Sequence, residues 1–171
     1  MSVNTTATLS SDIVFQQQET ETNSLASRQG SVSYSQALTS GTGQLQINAV
    51  YNLQSQQVSP NSSYLMDFNN LSQPMVGGEM SLSFNNIKSI CVHNSVSITG
   101  EDLSLRATGS NAFTAPFNGS SGYIIAKPSS AFCYSDPYLG ATVDGSNKNF
   151  QVHNNGTGTG TFSVVVVGVT G

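Results

Sequence analysis

The sequence predicts an all-β protein, an antiparallel β-sandwich or jelly roll with an extended N-terminal arm. Three observations favour this fold class. Only 8% of the 171 residues are charged, whereas the exposed faces of helices usually carry Glu, Lys and Arg. The polar residues are mostly Ser, Thr, Asn, Gln and Gly, which favour strands and turns over helices. Short alternations of apolar and polar residues recur between turn-forming segments.

Residues 1–30 are predicted to form the arm. One apolar cluster, Ile13, Val14 and Phe15, lies there between long polar flanks. Such a stretch buries too little apolar surface to offset the entropy that it loses on ordering. We therefore expect a segment that is flexible or becomes ordered on assembly. A short helix through VFQQQETETNSLAS is an alternative for part of it.

Residues 31–171 are predicted to form the sandwich domain. Period-two alternation on either side of the turn TSGTG predicts two strands, one through Tyr34 and one through Ile47. The closing segment FQVHNNGTGTGTFSVVVV is predicted to be a hairpin. After the first two strands, the predicted strands span residues 63–68, 79–84, 87–94, 101–108, 111–117, 122–127, 130–136, 149–154 and 161–169.

The last predicted strand is apolar on both faces. Alternation places Val164 and Val166 on one side and a second set of valines on the other. One face can cover the core of the domain, so the other must be covered by another layer of the same molecule or by a neighbouring subunit. We predict an oligomer or particle interface formed by Val165, Val167 and Val169 together with Ile13, Val14 and Phe15.

Two cysteines, Cys91 and Cys133, allow one disulfide at most. The start MSVNTTATLS shows no basic segment followed by an apolar one, so we expect synthesis in a reducing cytosol. Both cysteines are then expected to be free, buried thiols, although the sequence leaves their pairing open.

No residue pattern indicates catalysis, and we predict no catalytic residue, no metal and no cofactor. CVHNS and QVHNN echo each other and place His93 and His153 at similar strand ends. The echo predicts Val inward, His outward and Asn at the strand exit, through a duplication or because Asn tolerates a left-handed turn. A shared metal would need further ligands that no spacing supplies. DGSNKN lacks the late Glu of an EF-hand, and GTGTGT lacks the Lys of a phosphate loop.

Charge excludes two classes of partner. The net charge is −4, with five basic residues in all. No stretch can neutralise several phosphates, so we expect no nucleic acid as a partner. An anionic membrane surface is disfavoured for the same reason, and no apolar run approaches the length of a membrane helix.

Four segments in order resemble small virion proteins of tailed bacteriophages over about residues 31–171. These segments are YSQALTSGTGQLQINAVYN, LMDFNNL, LSFNNIKSICVHNS and GTFSVVVVGV, and Phe68 departs from the Leu that usually follows the Asp. The resemblance implies a β-rich, oligomeric, non-enzymatic protein that is either a capsid decoration (cement) protein or a tail or fibre component, and capsid decoration is the preferred assignment. It further implies synthesis in the host cytoplasm, assembly on the virion and contact with the phage major capsid protein. By analogy with threefold positions of icosahedral shells, a homotrimer is preferred.

Three alternatives remain open. A phage tail, fibre or host-recognition protein would use Tyr123, Tyr134 and Tyr138 to stack on sugars. A lectin or carbohydrate-active enzyme would need convergent carboxylates or a metal. A major capsid jelly-roll protein would ordinarily carry a basic arm for packaging, which this sequence lacks.

Overall fold

The computed structural model describes residues 5–21, 24–75, 78–117 and 119–171. Over these residues the chain forms strands and no helix, which confirms the all-β class. The strands are β1 (Ala7–Glu21), β2 (Ser24–Ser40), β3 (Gln46–Ile47), β4 (Ala49–Val58), β5 (Ser63–Asp67), β6 (Leu71–Met75), β7 (Gly78–Leu82), β8 (Phe84–Asn94), β9 (Leu103–Ala107), β10 (Tyr123–Ala126), β11 (Ala131–Ser135), β12 (Ala141–Thr142), β13 (Asn149–Asn154) and β14 (Gly160–Thr170).

Two antiparallel sheets pack face to face as a sandwich. One has the strand order β10-β9-β13-β5, and the other has the order β11-β8-β14-β4, with β12 also pairing with β8. Alternation along β13 shows how the core is built, because Phe150 and Val152 are fully buried while Gln151 and His153 remain partly exposed. The β-sandwich is therefore as predicted, and the finer jelly-roll connectivity stays a prediction.

Aromatic side chains fill one end of the core. The ring of Phe68 meets that of Phe113 edge-on, with centroids 5.0 Å apart, and lies 5.9 Å from that of Phe150. Such pairs stabilise by about 0.5–1.5 kcal/mol beyond the area that they bury. Phe113 lies in segment 111–117, for which the sequence predicts a strand. That prediction is wrong. That segment is mostly turns and joins β13 through one bridge, from Ala112 to Asn149.

The closing hairpin is also wrong, although both of its strands exist. β13 lies in the four-stranded sheet and β14 in the five-stranded sheet, so the segment between them crosses from one layer to the other. A hairpin needs adjacent strands in one sheet, and a loop longer than five residues leaves the choice of sheet open.

β1 and β2 pair as a long antiparallel hairpin, in register from Ala7 opposite Leu38 to Glu21 opposite Ser24. The alternative of a helix through VFQQQETETNSLAS is therefore wrong. The predicted boundary at residue 30 falls inside β2, and β3 pairs in parallel with the end of β2. Whether residues 1–30 order only on assembly stays a prediction.

A short hairpin of β6 and β7 covers the free edge of β4. The side chain of Gln73 bonds the backbone of Asn52 on that edge: its Oε1 accepts from N at 2.6 Å, and its Nε2 donates to O at 3.2 Å. An amide side chain thus takes the place of a further strand, which protects an edge from pairing with other chains.

Cys91 on β8 and Cys133 on β11 lie opposite each other in register and are joined by a disulfide. The expectation of free thiols is therefore wrong. Both residues lie in strands as predicted, but the register of two strands separated by other elements cannot be read from the sequence. That register brings the two sulfur atoms together.

Candidate functional site

The second face of β14 is covered by the chain itself. Val167 is 5% exposed and packs with Leu38 of β2 and Ile47 of β3 in a core cluster separate from that of the sandwich. Ala7 and Leu9 of β1 pack against the same cluster. Of the two covers expected for this face, another layer of the same molecule is the one observed.

Hydrogen bonds connect the segment beside β3 to the end of β14. The side chain of Asn48, between β3 and β4, accepts from the backbone N of Thr170 at 2.8 Å and donates to its carbonyl oxygen at 3.1 Å. Thr5 extends the contact, because its hydroxyl donates to the carbonyl oxygen of Asn48 at 3.4 Å. The base of the β1–β2 hairpin, residues 7–9 and 36–40, is thus attached to the sandwich by apolar packing beside a hydrogen-bonded strand end.

Val165 and Val169 differ in their surroundings. Val169 is buried at 6% exposure, whereas Val165 is half-buried and packs at the margin of the second cluster. Val165 also lines a crevice of about 690 Å³ between β1 and the outer face of the five-stranded sheet, together with Leu9, Tyr34 and Val50. Their role as an interface between molecules stays a prediction.

Beyond its base, the described side chains of the β1–β2 hairpin are exposed. Three consecutive residues of β1, Ser10, Ser11 and Asp12, are exposed, so both faces of the ribbon are open to solvent there. The opposite residues Ser33, Tyr34 and Ser35 of β2 are exposed as well. The predicted interface residues Ile13, Val14 and Phe15 continue β1, and their side chains lie outside the described part of the structure.

The outer face of the four-stranded sheet presents a second surface, which we call the platform. Register places two rows of side chains across all four strands. With strands about 4.8 Å apart, each row spans about 14 Å. The rows are Tyr123, Arg106, Gln151 and Leu65, and then Ile125, Ser104, His153 and Ser63.

Polar contacts order the platform. Nη2 of Arg106 donates to Oδ1 of Asn155 at 2.9 Å, and Nδ2 of the same asparagine bonds Oγ of Ser104. Nδ1 of His153 lies 2.9 Å from Oγ of Ser63. Partial burial, and then the positive charge of Arg106, lower the pKa of His153 below its ordinary value.

The two histidines do not share a site. Val92 and Val152 are fully buried, so His93 points outward from the five-stranded sheet and His153 points outward from the four-stranded sheet. The sequence echo places Val inward and His outward, as predicted. Among the residues described, no group of three or more His, Cys, Asp or Glu side chains is arranged to hold a metal ion.

The asparagines of the echo are buried, and their role differs from the expected one. Neither Asn94 nor Asn154 has a positive φ. Each Oδ1 instead accepts from the backbone N two residues later, at 3.2 Å for Asn94 and 2.8 Å for Asn154. Each Nδ2 donates to two backbone carbonyl oxygens of other segments. Such asparagines satisfy loop carbonyls that would otherwise be buried without partners.

The loop GTGTG packs around the carboxylate of Glu101, which is buried at 7% exposure and is therefore not the surface carboxylate that its place beside a turn predicts. Oε1 of Glu101 accepts from the backbone N of Gly158 at 2.9 Å, while its Oε2 has no hydrogen-bond partner among the described residues. A Cβ at Gly156 would lie 1.8 Å from Oε2. Packing against Glu101 therefore explains Gly156 and Gly158, whereas a Cβ at Gly160 would meet Leu103 and Asn154.

Two other predicted features have structural explanations. In DGSNKN, Oδ1 of Asp144 accepts from the N and Oγ of Ser146 at 2.7 and 2.8 Å, which lowers the pKa of Asp144 and makes the segment a turn. Of the three tyrosines considered for sugar stacking, Tyr123 and Tyr138 are 64% and 53% exposed. Tyr134 packs against the core, and burial raises its pKa, followed by the nearby charge of Asp136.

No family model and no curated protein matches the chain. The described residues contain no helix that is long and apolar enough to cross a membrane. The candidate functional surfaces are therefore defined by geometry: the β1–β2 hairpin beyond its base, the crevice beside it and the platform on the opposite side of the sandwich.

Proposed function

We propose that this chain is a non-enzymatic structural protein of a virion, a capsid decoration protein that oligomerises and binds the head of a bacteriophage. The observation that carries the proposal is the β1–β2 hairpin, whose 15-residue first strand would measure about 50 Å. Among its described side chains, those at the base of this hairpin pack on the sandwich, whereas those from Ser10 to Asp12 are exposed.

A two-stranded ribbon exposed on both faces is marginally stable in water. It gains stability when a partner covers a face or pairs with an edge, because apolar area is buried and unpaired backbone groups are satisfied. The hairpin therefore supports a role in which a neighbouring molecule receives it. We propose that this neighbour is first a second copy of the chain, in a homotrimer, and then the phage major capsid protein.

Low charge supports the same role. With 8% of its residues charged, the surface can be covered by neighbours without desolvating many ions, each of which would cost several kcal/mol if left unpaired. The assignment to a virion rests on the resemblance of residues 31–171 to small phage virion proteins, which include capsid decoration proteins and tail or fibre components, and binding to heads or to tails distinguishes the two. On this proposal the chain is made in the host cytoplasm and acts on the assembled virion, without nucleic acid as a partner.

The test compares the full chain with a variant whose hairpin is shortened. Asp12 and Ser33 are partners in register, so an Asn-Gly turn joining them removes residues 13–32 and leaves the base intact. Solution mass is measured by light scattering behind a sizing column. Sedimentation with shells of the major capsid protein from the same phage is measured in parallel. We expect a closed oligomer that binds shells, and a shortened variant that is folded but monomeric and does not sediment.

A full chain that is monomeric and does not bind assembled shells would contradict the proposal. Binding to purified tails instead of heads would favour the tail or fibre alternative. Closed shells formed by the purified chain alone would favour the major capsid alternative. Unchanged mass and shell binding in the shortened variant would show that the hairpin is not the assembly element.

A further inference from the structure

Among the Lys and Arg side chains that the structure describes, that of Arg106 is accessible to solvent and has no acidic partner. In a chain of net charge −4, Lys127 and Lys148 each pair with an aspartate, at 2.6 and 2.7 Å. Lys88 is buried at 2% exposure, and the side chain of Arg28 lies outside the described part. Arg106 thus places a positive charge on a surface where none of the described acidic side chains pairs with it.

Neighbouring side chains hold the guanidinium of Arg106 in place. Asn155 accepts one of its five N–H donors at 2.9 Å, and Asn155 is in turn bonded to the buried Ser104. A guanidinium positioned in this way loses little conformational entropy on binding, and its planar fork matches a carboxylate through two parallel hydrogen bonds.

Tyr123 supplies a flat apolar surface beside this charge. It lies opposite Arg106 in register on the neighbouring strand, and its side chain is 64% exposed. The two residues border a groove of about 450 Å³ that is also lined by Thr108, Ser120 and Ser121. This groove offers a polar ligand one aromatic wall, several hydroxyls and one cation.

We propose that the platform and its groove bind an acidic carbohydrate, with a sugar carboxylate on Arg106 and the C–H face of a sugar ring on Tyr123. The hydroxyls of Ser120 and Ser121 and the amide of Gln151 on the same row then bond the sugar hydroxyls. A nucleic acid fits this surface less well, because its regularly spaced phosphates would need several cations rather than one. This proposal goes beyond the structural role proposed above and does not depend on it.

Binding is measured on the free full chain by calorimetry and by retardation in gels containing polysaccharide. The probes are polygalacturonate and polysialic acid as carboxylated chains, dextran as a neutral chain and dextran sulfate as a sulfated one. We expect both carboxylated chains to bind and dextran not to bind. Added salt should weaken the binding, because it screens the charge on Arg106.

Two variants test the assigned residues. Arg106→Gln removes the charge and is expected to weaken binding about tenfold or more, since charge-assisted hydrogen bonds are the strong ones. Tyr123→Ala removes the ring on which the sugar would stack and is also expected to weaken binding about tenfold or more. Tyr138→Ala is the matched control, because Tyr138 is similarly exposed, at 53%, and lies away from the platform. Arg106→Lys keeps the charge without the fork and should bind at an intermediate level.

Absence of binding to both carboxylated chains would overturn the proposal. Equal affinity for dextran and polygalacturonate, or tighter binding of dextran sulfate than of either carboxylated chain, would overturn the carboxylate assignment. Equal losses in Tyr138→Ala and Tyr123→Ala would overturn the placement of the site. Because these measurements need neither shells nor a defined oligomer, their failure is distinct from that of the proposed assembly role.

Discussion

Replacing Leu38 by Ala tests whether the base of the β1–β2 hairpin is a true second core. Leu38 is 1% exposed and shares its cluster with Ile47 and Val167. The substitution removes apolar carbons worth about 2 kcal/mol in transfer free energy, at about 0.8 kcal/mol for each methylene. The cavity left behind raises the expected loss of unfolding free energy to about 2–4 kcal/mol.

Urea denaturation followed by circular dichroism measures the loss, and hydrogen exchange measures the protection of the β1–β2 amides. Leu105→Ala, in the sandwich core and fully buried, should cost a similar amount. Leu139→Ala, at a residue that is 61% exposed, should change stability by no more than about 0.5 kcal/mol. If Leu38→Ala behaves like Leu139→Ala in both measurements, the base of the hairpin is not packed on the sandwich and the reasoning fails.

Three further predictions concern single features. Gly156→Ala should destabilise the fold by about 1–3 kcal/mol, seen as a lower melting temperature, because the new Cβ meets Oε2 of Glu101; an unchanged melting temperature would contradict this. Reduction of the disulfide between Cys91 and Cys133, 42 residues apart, should cost about 3–4 kcal/mol, and two titratable thiols in unreduced, unfolded protein would refute the bond. The folded pKa of His153 is lower than its ordinary 6.5, so the unfolded chain takes up the proton first as pH falls. Stability should therefore drop as pH decreases from about 7 towards that folded pKa, and less steeply in His153→Gln; equal slopes in urea titrations would argue against it.

Sequence alternation located strands well where each strand has one buried face. The predicted strand 149–154 coincides with β13, and the predicted strand 161–169 differs from β14 by one residue at each end. The prediction failed where local polarity dominated. QQQETE carries little β-branched or apolar signal, and its strand is set by pairing with the residues of β2.

The candidate surfaces could be predicted only in part. Apolar residues on both faces of the last strand correctly indicated a second covering layer, but not that Leu38 and Ile47 would form it. Tyr123 was considered as an exposed aromatic residue, whereas Arg106 was not singled out. Their adjacency depends on the register of β9 and β10, which are separated by a long irregular segment. Contacts of this kind are set by tertiary packing and leave no local pattern in the sequence.

The position of β14 in its sheet constrains how the protein can be made. β14 is the last strand in chain order, yet it lies between β8 and β4. In that sheet β4 is the edge strand and pairs with β14. Its partners are far away in sequence, since Gly168 pairs with Ala49. During synthesis, β4 therefore cannot pair with its neighbouring strand until residues 160–170 have left the ribosome. Such distant pairing slows folding, and it makes the nascent chain dependent on conditions that keep an unpaired strand from associating with other chains.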